Sequence, residues 1–214
     1  MRLFLIRHGQ TTANVARELD TALPGAPLTG LGREQAASLP NRLRQERFDG
    51  IWCSRAQRAQ DTAAALATGV GQAPQVMPGL HEIQAGELEM SADRGDWLAY
   101  IRLLERWIRG DLRPAVPGGE SGADAVARFD ADIAVIQEQA PEQAAIVSHG
   151  AMIRLWTATR AVDADRDFVI DHPLRNTGYV VLDGNLADGF SLESWHGELP
   201  PETMDTARGV ACIP

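Results

Sequence analysis

Leu3-Phe4-Leu5-Ile6-Arg7-His8-Gly9-Gln10-Thr11 sets four apolar residues directly against a cation, an imidazole and a glycine, with no turn between them. A short apolar run that stops so abruptly reads as a buried strand whose carboxyl end delivers reactive side chains to a crevice. Ala145-Ile146-Val147-Ser148-His149-Gly150 repeats the pattern later in the chain. If the two strands are neighbours in one parallel sheet, the imidazoles of His8 and His149 face each other.

Further strand-like runs at Gly50 to Cys53 and Tyr179 to Leu182 alternate with helical patterns. That order predicts an α/β fold, a three-layer sandwich with a mostly parallel central sheet and helices on both faces. Residues 190 to 195 alternate apolar and polar, which fits an antiparallel edge strand reached through a turn at Asp183-Gly184-Asn185. One helix follows Gly32, with Pro40 expected to kink or interrupt it. A second follows Ser54 as N-cap, a third runs from about Asp124, and a fourth follows Gly150. Residues 78 to 120 break the alternation with a Trp97, Ile101, Leu104, Ile108 stripe and the loop Pro117-Gly118-Gly119-Glu120-Ser121. We expect this insertion to be a small lid over the crevice of a single domain spanning 1–214. The proline-rich stretch after Gly197 is expected to be loosely ordered.

The composition narrows the function. With 214 residues, 44% hydrophobic and 23% charged, the chain is long enough for a substantial core. A formal charge of -9 and a pI near 5.0 argue against a nucleic-acid or membrane partner, since both require a basic face. Any anion site must then be a local cluster of arginines. No run approaches the roughly 20 apolar residues of a membrane span. Met1-Arg2-Leu3 leads into the strand without a signal-peptide pattern, so the expected location is cytoplasmic. Cys53 and Cys212 are too few for a disulfide framework or zinc knuckle and read as structural or incidental thiols.

Arginine offers a planar fork of donors to phosphate oxygens, and an unprotonated histidine is a competent nucleophile near neutral pH. Arg7 with His8 therefore suggests attack on phosphorus. The segment Ser54-Arg55-Ala56-Gln57-Arg58 is expected to place both arginines in the first turn of a helix, where free amides and the positive dipole end add to their charge. Glu82, in the loop His81-Glu82-Ile83-Gln84-Ala85-Gly86, is a carboxyl group that, partly shielded near a phosphate, would donate a proton to a leaving oxygen.

These motifs together resemble the histidine phosphatase superfamily, which includes cofactor-dependent phosphoglycerate mutases and small phosphatases. The resemblance covers nearly the whole chain and is carried, in order, by Arg7-His8-Gly9-Gln10-Thr11 with Asn14, Leu28-Thr29 with Gly32 and Gln35-Ala36, and Ser54 with Arg58-Ala59 and Thr62-Ala63. Glu82 with Gly86 and Glu89, Pro117-Gly118-Gly119-Glu120-Ser121, and Ser148-His149-Gly150 complete the series. It implies that His8 becomes a phosphohistidine and that Arg7, Arg58 and His149 hold the phosphoryl oxygens, with Asn14 as a supporting donor. It implies that Glu82 protonates the leaving alcohol and then activates water, and that the substrate is a small phosphorylated metabolite. Positioned positive charge lowers the barrier to phosphoryl transfer, so no metal and no other cofactor is expected.

The chain also departs from the family pattern. Arg55 and Ala56 stand where relatives often carry an acidic residue and leucine, and the extra cation of Arg55 would extend the pocket toward a second anionic group. Leu88 precedes Glu89 where many relatives have tryptophan. The mutase branch usually has longer lid and tail segments, which favours transfer to water. A mutase and a non-catalytic phosphate-binding protein remain the alternatives, with a metal-dependent hydrolase a weaker rival for want of HxH or HExxH spacing. Taken singly, the residues have plainer readings: His149 as an orienting group, Asn14 as a cap, Glu120 and Ser121 as the start of a helix, Trp97 and Trp107 as lid core. His81, His172 and His196 carry no assigned role, and the oligomeric state is open.

Overall fold

The computed structural model describes residues 1–140 and 142–196, and Cys212 and the stretch after residue 196 lie outside them. Strands β1 (Arg2–Arg7), β2 (Gly50–Ser54), β3 (Gln75–Met77), β4 (Gln143–Ser148), β5 (Tyr179–Asn185) and β6 (Gly189–His196) form one sheet in the order β3-β2-β4-β1-β5-β6. The first four in that order run parallel, and β5 and β6 are antiparallel additions at one edge. The helices are α1 (Thr12–Ala16), α2 (Gly30–Arg42), α3 (Gln57–Val70), α4 (Arg94–Ile108), α5 (Gly122–Gln139), α6 (Gly150–Arg160) and α7 (Arg166–Asp171). None of them is long and apolar enough to cross a membrane.

The pleat of β1 explains the three layers. Alternate side chains of a strand point to opposite faces. Phe4 and Ile6 join Leu39 and Leu43 of the α2 region and Ala59, Ala63 and Leu66 of α3 in one apolar cluster. Leu3 and Leu5 join Leu104, Trp107, Phe129, Ile133, Met152 and Trp156 from α4, α5 and α6 in the other. The strand is buried on both sides, which is why it reads as a continuous apolar run rather than an alternating one. The chain leaving β1 passes to the α2 and α3 face, whereas the chain leaving β4 enters α6 on the opposite face. The carboxyl ends of these adjacent strands therefore flank a crevice at a topological switch point.

Several local expectations are corrected. Helix α2 is not interrupted at Pro40 and continues to Arg42, only two residues beyond the proline. Helix α3 is capped by Ala56, not Ser54: Ser54 is the last residue of β2, and its hydroxyl accepts from the Ala56 amide and meets His149, bonding no amide within the helix. Asp183, Gly184 and Asn185 remain inside β5, and the turn is made by the following three residues. The Asn185 side chain closes that turn by accepting from the amides of Ala187 and Asp188. The edge strand over 190 to 195 is present as part of β6. Ser121 caps α5, accepting from the Asp124 amide.

Candidate active site

The register of the β1–β4 pair sets Arg7 beside Ser148, so the next residue of each strand emerges at the same edge. The His8 amide donates to the Ser148 carbonyl at 3.1 Å, and the imidazole rings of His8 and His149 lie with centroids 5.2 Å apart. Such an approach requires the backbone after β1 to pass close to α2. A Cβ on Gly9 would lie 2.5 Å from the Gly32 carbonyl oxygen, and one on Gly32 would lie 2.0 Å from that of Gln10. Both glycines are there for contact distance.

His8 is almost wholly buried, and its Nδ1 sits 2.7 Å from the Gly9 carbonyl oxygen. A carbonyl only accepts, so Nδ1 carries the proton and the lone pair is on Nε2. Burial, and then the guanidinium groups of Arg58 and Arg7, hold this imidazole well below the usual histidine range. His149 is likewise pushed well below it, by burial first and Arg58 second. Its Nε2 lies 2.8 Å from the Ser54 hydroxyl, while its buried Nδ1 makes no hydrogen bond among the described residues. An unmet buried polar atom costs about 1–3 kcal/mol, which a bound ligand would relieve.

The two neutral imidazoles have a consequence for stability. The unfolded chain protonates each near pH 6.5 and the folded chain does not, so the unfolded state binds more protons below that value. Their contribution is intact above pH 6.5 and is lost as the pH falls toward the depressed folded values. Each should add about 1.4 kcal/mol per pH unit to the slope of unfolding free energy in this window. Urea titrations at descending pH will measure it, and His8→Asn should remove one such share.

Arg7 is buried and donates from Nη1 to the Leu174 carbonyl at 2.6 Å. Gly150 lets α6 start against this guanidinium, since a Cβ there would lie 3.2 Å from Nε. Arg58, in the first turn of α3, reaches the same cavity. It is held by Asp20, through Oδ2 at 3.1 Å and the main-chain oxygen at 3.0 Å. Thr62, one turn on, donates to the Arg58 carbonyl and accepts from the Gly9 amide, tying α3 to the loop after β1. Asn14 completes a capping box with Thr11 and accepts from Asn176, which also donates to the His8 carbonyl. It also lines the cavity. Arg55 does not: it precedes α3, is exposed, and lies outside the cavity lining, so the expected pair of arginines in one helical turn is not formed.

Glu82 is buried over the start of α6. Its Oε1 accepts from the amides of Ile83 and Met152, both at 2.9 Å, and its Oε2 from Ala151 at 3.2 Å. Of the roughly four lone-pair positions of a carboxylate, one on Oε2 is left. Arg128 fixes the loop that carries it, donating to the carbonyls of Gly79, His81 and Glu82 and pairing with Glu120 at 2.7 Å. Glu120 also accepts from the Gln84 amide. Arg128→Met would leave that carboxylate and three carbonyls short of donors and should lower stability by about 3 kcal/mol in chemical denaturation.

Leu19, Tyr100, Ile101, Leu104 and Leu174 supply an apolar wall, and Arg154 enters from α6. Trp107 is core, its indole donating to the Pro114 carbonyl, and Trp97 packs against the same cluster. Nδ1 of His81 and of His172 faces the main-chain oxygen of Glu82 and of Phe168, respectively. The side chain of His196 lies outside the described residues. Burial pushes the Cys53 thiol up to about 12, which makes it inert as a nucleophile. Among the described residues no three His, Cys, Asp or Glu side chains are grouped to hold a metal ion.

The sequence reading missed Asp20, Tyr100, Asn176, Arg128 and Arg154. Only Arg154 left a signal, as a lone charge within Ala151-Met152-Ile153-Arg154-Leu155-Trp156.

The family model described as the histidine phosphatase superfamily (branch 1) matches residues 3–196. A PE-PGRS family protein of Mycobacterium tuberculosis is 34% identical over 94% of this chain, which spans only 38% of that protein's length. The adenosylcobalamin/alpha-ribazole phosphatase of Escherichia coli is 33% identical over 74% of this chain and 78% of its own. A solved mycobacterial glucosyl-3-phosphoglycerate phosphatase superposes with a TM-score of 0.77 at 27% identity, covering 92% of this chain and 99% of that one.

Proposed function

Since the chain belongs to the histidine phosphatase superfamily, branch 1, we propose that it hydrolyses a small phosphorylated metabolite through a phosphohistidine at His8. In the first step the Nε2 lone pair of His8 forms a bond to phosphorus as the ester P–O bond breaks. The leaving oxygen takes a proton from Glu82. In the second, Glu82 takes a proton from water, the resulting hydroxide attacks phosphorus, and the N–P bond breaks to give inorganic phosphate. Arg7, Arg58 and His149 hold the phosphoryl oxygens, and Asn14 supports them. Positioned donors of this kind are worth about 3 kcal/mol each to the transition state.

The observation that carries the reading is the hydrogen bond from His8 Nδ1 to the Gly9 carbonyl, which leaves Nε2 unprotonated beside two guanidinium groups. The remaining lone-pair position on Glu82 Oε2 is where this reading puts the transferable proton. Residues 78 to 120 then act as a cap on a single domain, in a cytoplasmic setting, with neither nucleic acid nor membrane as partner. The names of two similar proteins, the Escherichia coli alpha-ribazole phosphatase and the mycobacterial glucosyl-3-phosphoglycerate phosphatase, support hydrolysis of a small phosphoester.

The test is phosphate release by the purified chain across sugar phosphates, phosphoglycerates, nucleotides and aryl phosphates, repeated in excess chelator. Release that persists with chelator is expected. No release from any compound would overturn the reading in favour of a phosphate-binding protein. Isomerisation of a phosphoglycerate faster than its hydrolysis would replace it with a mutase.

A further inference from the structure

Arg154 is the charged residue of α6 that faces the same cavity, and its surroundings differ from those of buried Arg58 and of Arg128. Arg58, Arg128 and Arg160 each pair with a carboxylate, on Asp20, Glu120 and Asp130. Arg154, 7% exposed, pairs with none among the described residues. Its Nε donates to the Val169 carbonyl at 3.0 Å and its Nη2 to that of Ile170 at 2.7 Å, while Nη1 makes no hydrogen bond there. Burial lowers this guanidinium to about 10, against smaller upward pulls from Glu105, Glu82 and Asp171. A cation buried without a counter-ion is costly, and an arriving anion would relieve that cost.

Its position relative to the phosphoryl pocket follows from helix geometry. Gly150 lies against the Arg7 guanidinium, and Arg154 is four residues on, on the same face of α6 and about 6 Å further along its axis. Tyr100, Ile101, Leu104 and Leu174 line the cavity alongside both arginines. We propose that Arg154 is a second anion subsite of this cavity, so that the preferred substrate is a phosphomonoester carrying a further anionic group, a carboxylate or a second phosphate. The proposal deepens the phosphatase reading and rests on it for the nature of the first group. It also moves the second cation from exposed Arg55 to the opposite side of the sheet.

The test pairs phosphoesters that differ only in a carboxylate. 3-Phosphoglycerate against glycerol 3-phosphate covers a short span, and 6-phosphogluconate against glucitol 6-phosphate a long one. Dissociation constants are measured by calorimetry in a His8→Ala background, where nothing turns over, with and without Arg154→Met. In at least one pair the carboxylate should tighten binding by about 10- to 100-fold, the range of hydrogen bonds to charged groups, and Arg154→Met should abolish that ratio. A ratio near one in both pairs, or a ratio that survives Arg154→Met, would overturn the subsite. Should Arg154→Met not melt cooperatively, for want of its bonds to α7, Arg154→Lys keeps the charge but not the fork and must lower the ratio at least about threefold. Failure of the phosphatase reading is visible separately, as absence of phosphate release by the unsubstituted chain while the binding ratio stands.

Discussion

His8→Ala should reduce phosphate release by at least about 10⁴-fold, the scale seen when a covalent nucleophile is removed from a site whose other groups remain. The unsubstituted chain, quenched with alkali during turnover, should carry a phosphoryl label that is lost on mild acid treatment, as a P–N bond requires, and His8→Ala should carry none. The variant should still fold, because the ring's one hydrogen bond is to the next residue's carbonyl and its burial is itself unfavourable to the charged form. It should also keep most of its affinity for a phosphate mimic, since Arg7 and Arg58 are anchored independently by Leu174 and Asp20. Turnover within tenfold of the parent would sink the assignment and leave His149 as the other buried imidazole among the described residues.

The fold was legible because its central strands are buried on both faces. Leu3 to Ile6 and Ala145 to Val147 are short apolar runs with chemistry at their ends, and that pattern fixes both their class and their shared edge. What escaped was short or mostly exposed: α1 with five residues, α7 with six, and β3 with three residues, none of them buried. Such elements form because their neighbours present caps and a free strand edge, and local propensity says little about them. Ser54 misled for a related reason. Serine before a helical pattern is a good N-cap signal, but here the residue ends β2 and its hydroxyl faces His149, so Ala56 takes the cap without a side-chain bond.

Within the site, residues on strand ends and on the first turns of helices were readable, and their supports were not. Arg58 is placed by its helix, yet Asp20, which orients its guanidinium, comes from a loop 38 residues away. Glu82 lies in a readable motif, but Arg128, which clasps its loop, sits in the second turn of α5, where an arginine looks like ordinary surface charge. Arg55 and Arg154 illustrate both failures. The first was favoured by adjacency to the motif and is exposed, whereas the second lies in an apolar helix and lines the cavity. Pairing across the sheet decides these roles, and sequence spacing does not carry it.

Glu82→Gln should slow alkyl phosphoesters by about 10²- to 10⁴-fold and aryl phosphates far less, when the first turnover is followed by rapid quench. The reason is the leaving group. A phenol ionises near 10, as tyrosine does, and departs without help, whereas an alkoxide is nearly as basic as hydroxide and needs a proton as the P–O bond breaks. First-turnover measurement matters because Glu82 also serves as base in the second step, which is common to every substrate and would slow both classes alike at steady state. The glutamine is nearly isosteric, and its carbonyl oxygen can still accept from Ile83 and Met152, but its NH₂ would then face the Ala151 amide. That lost bond should cost about 1–2 kcal/mol of stability, small enough to leave the variant folded and checkable by thermal melt. Equal slowing of alkyl and aryl esters in the first turnover would mean that the carboxylate braces the start of α6 and carries no proton to the substrate.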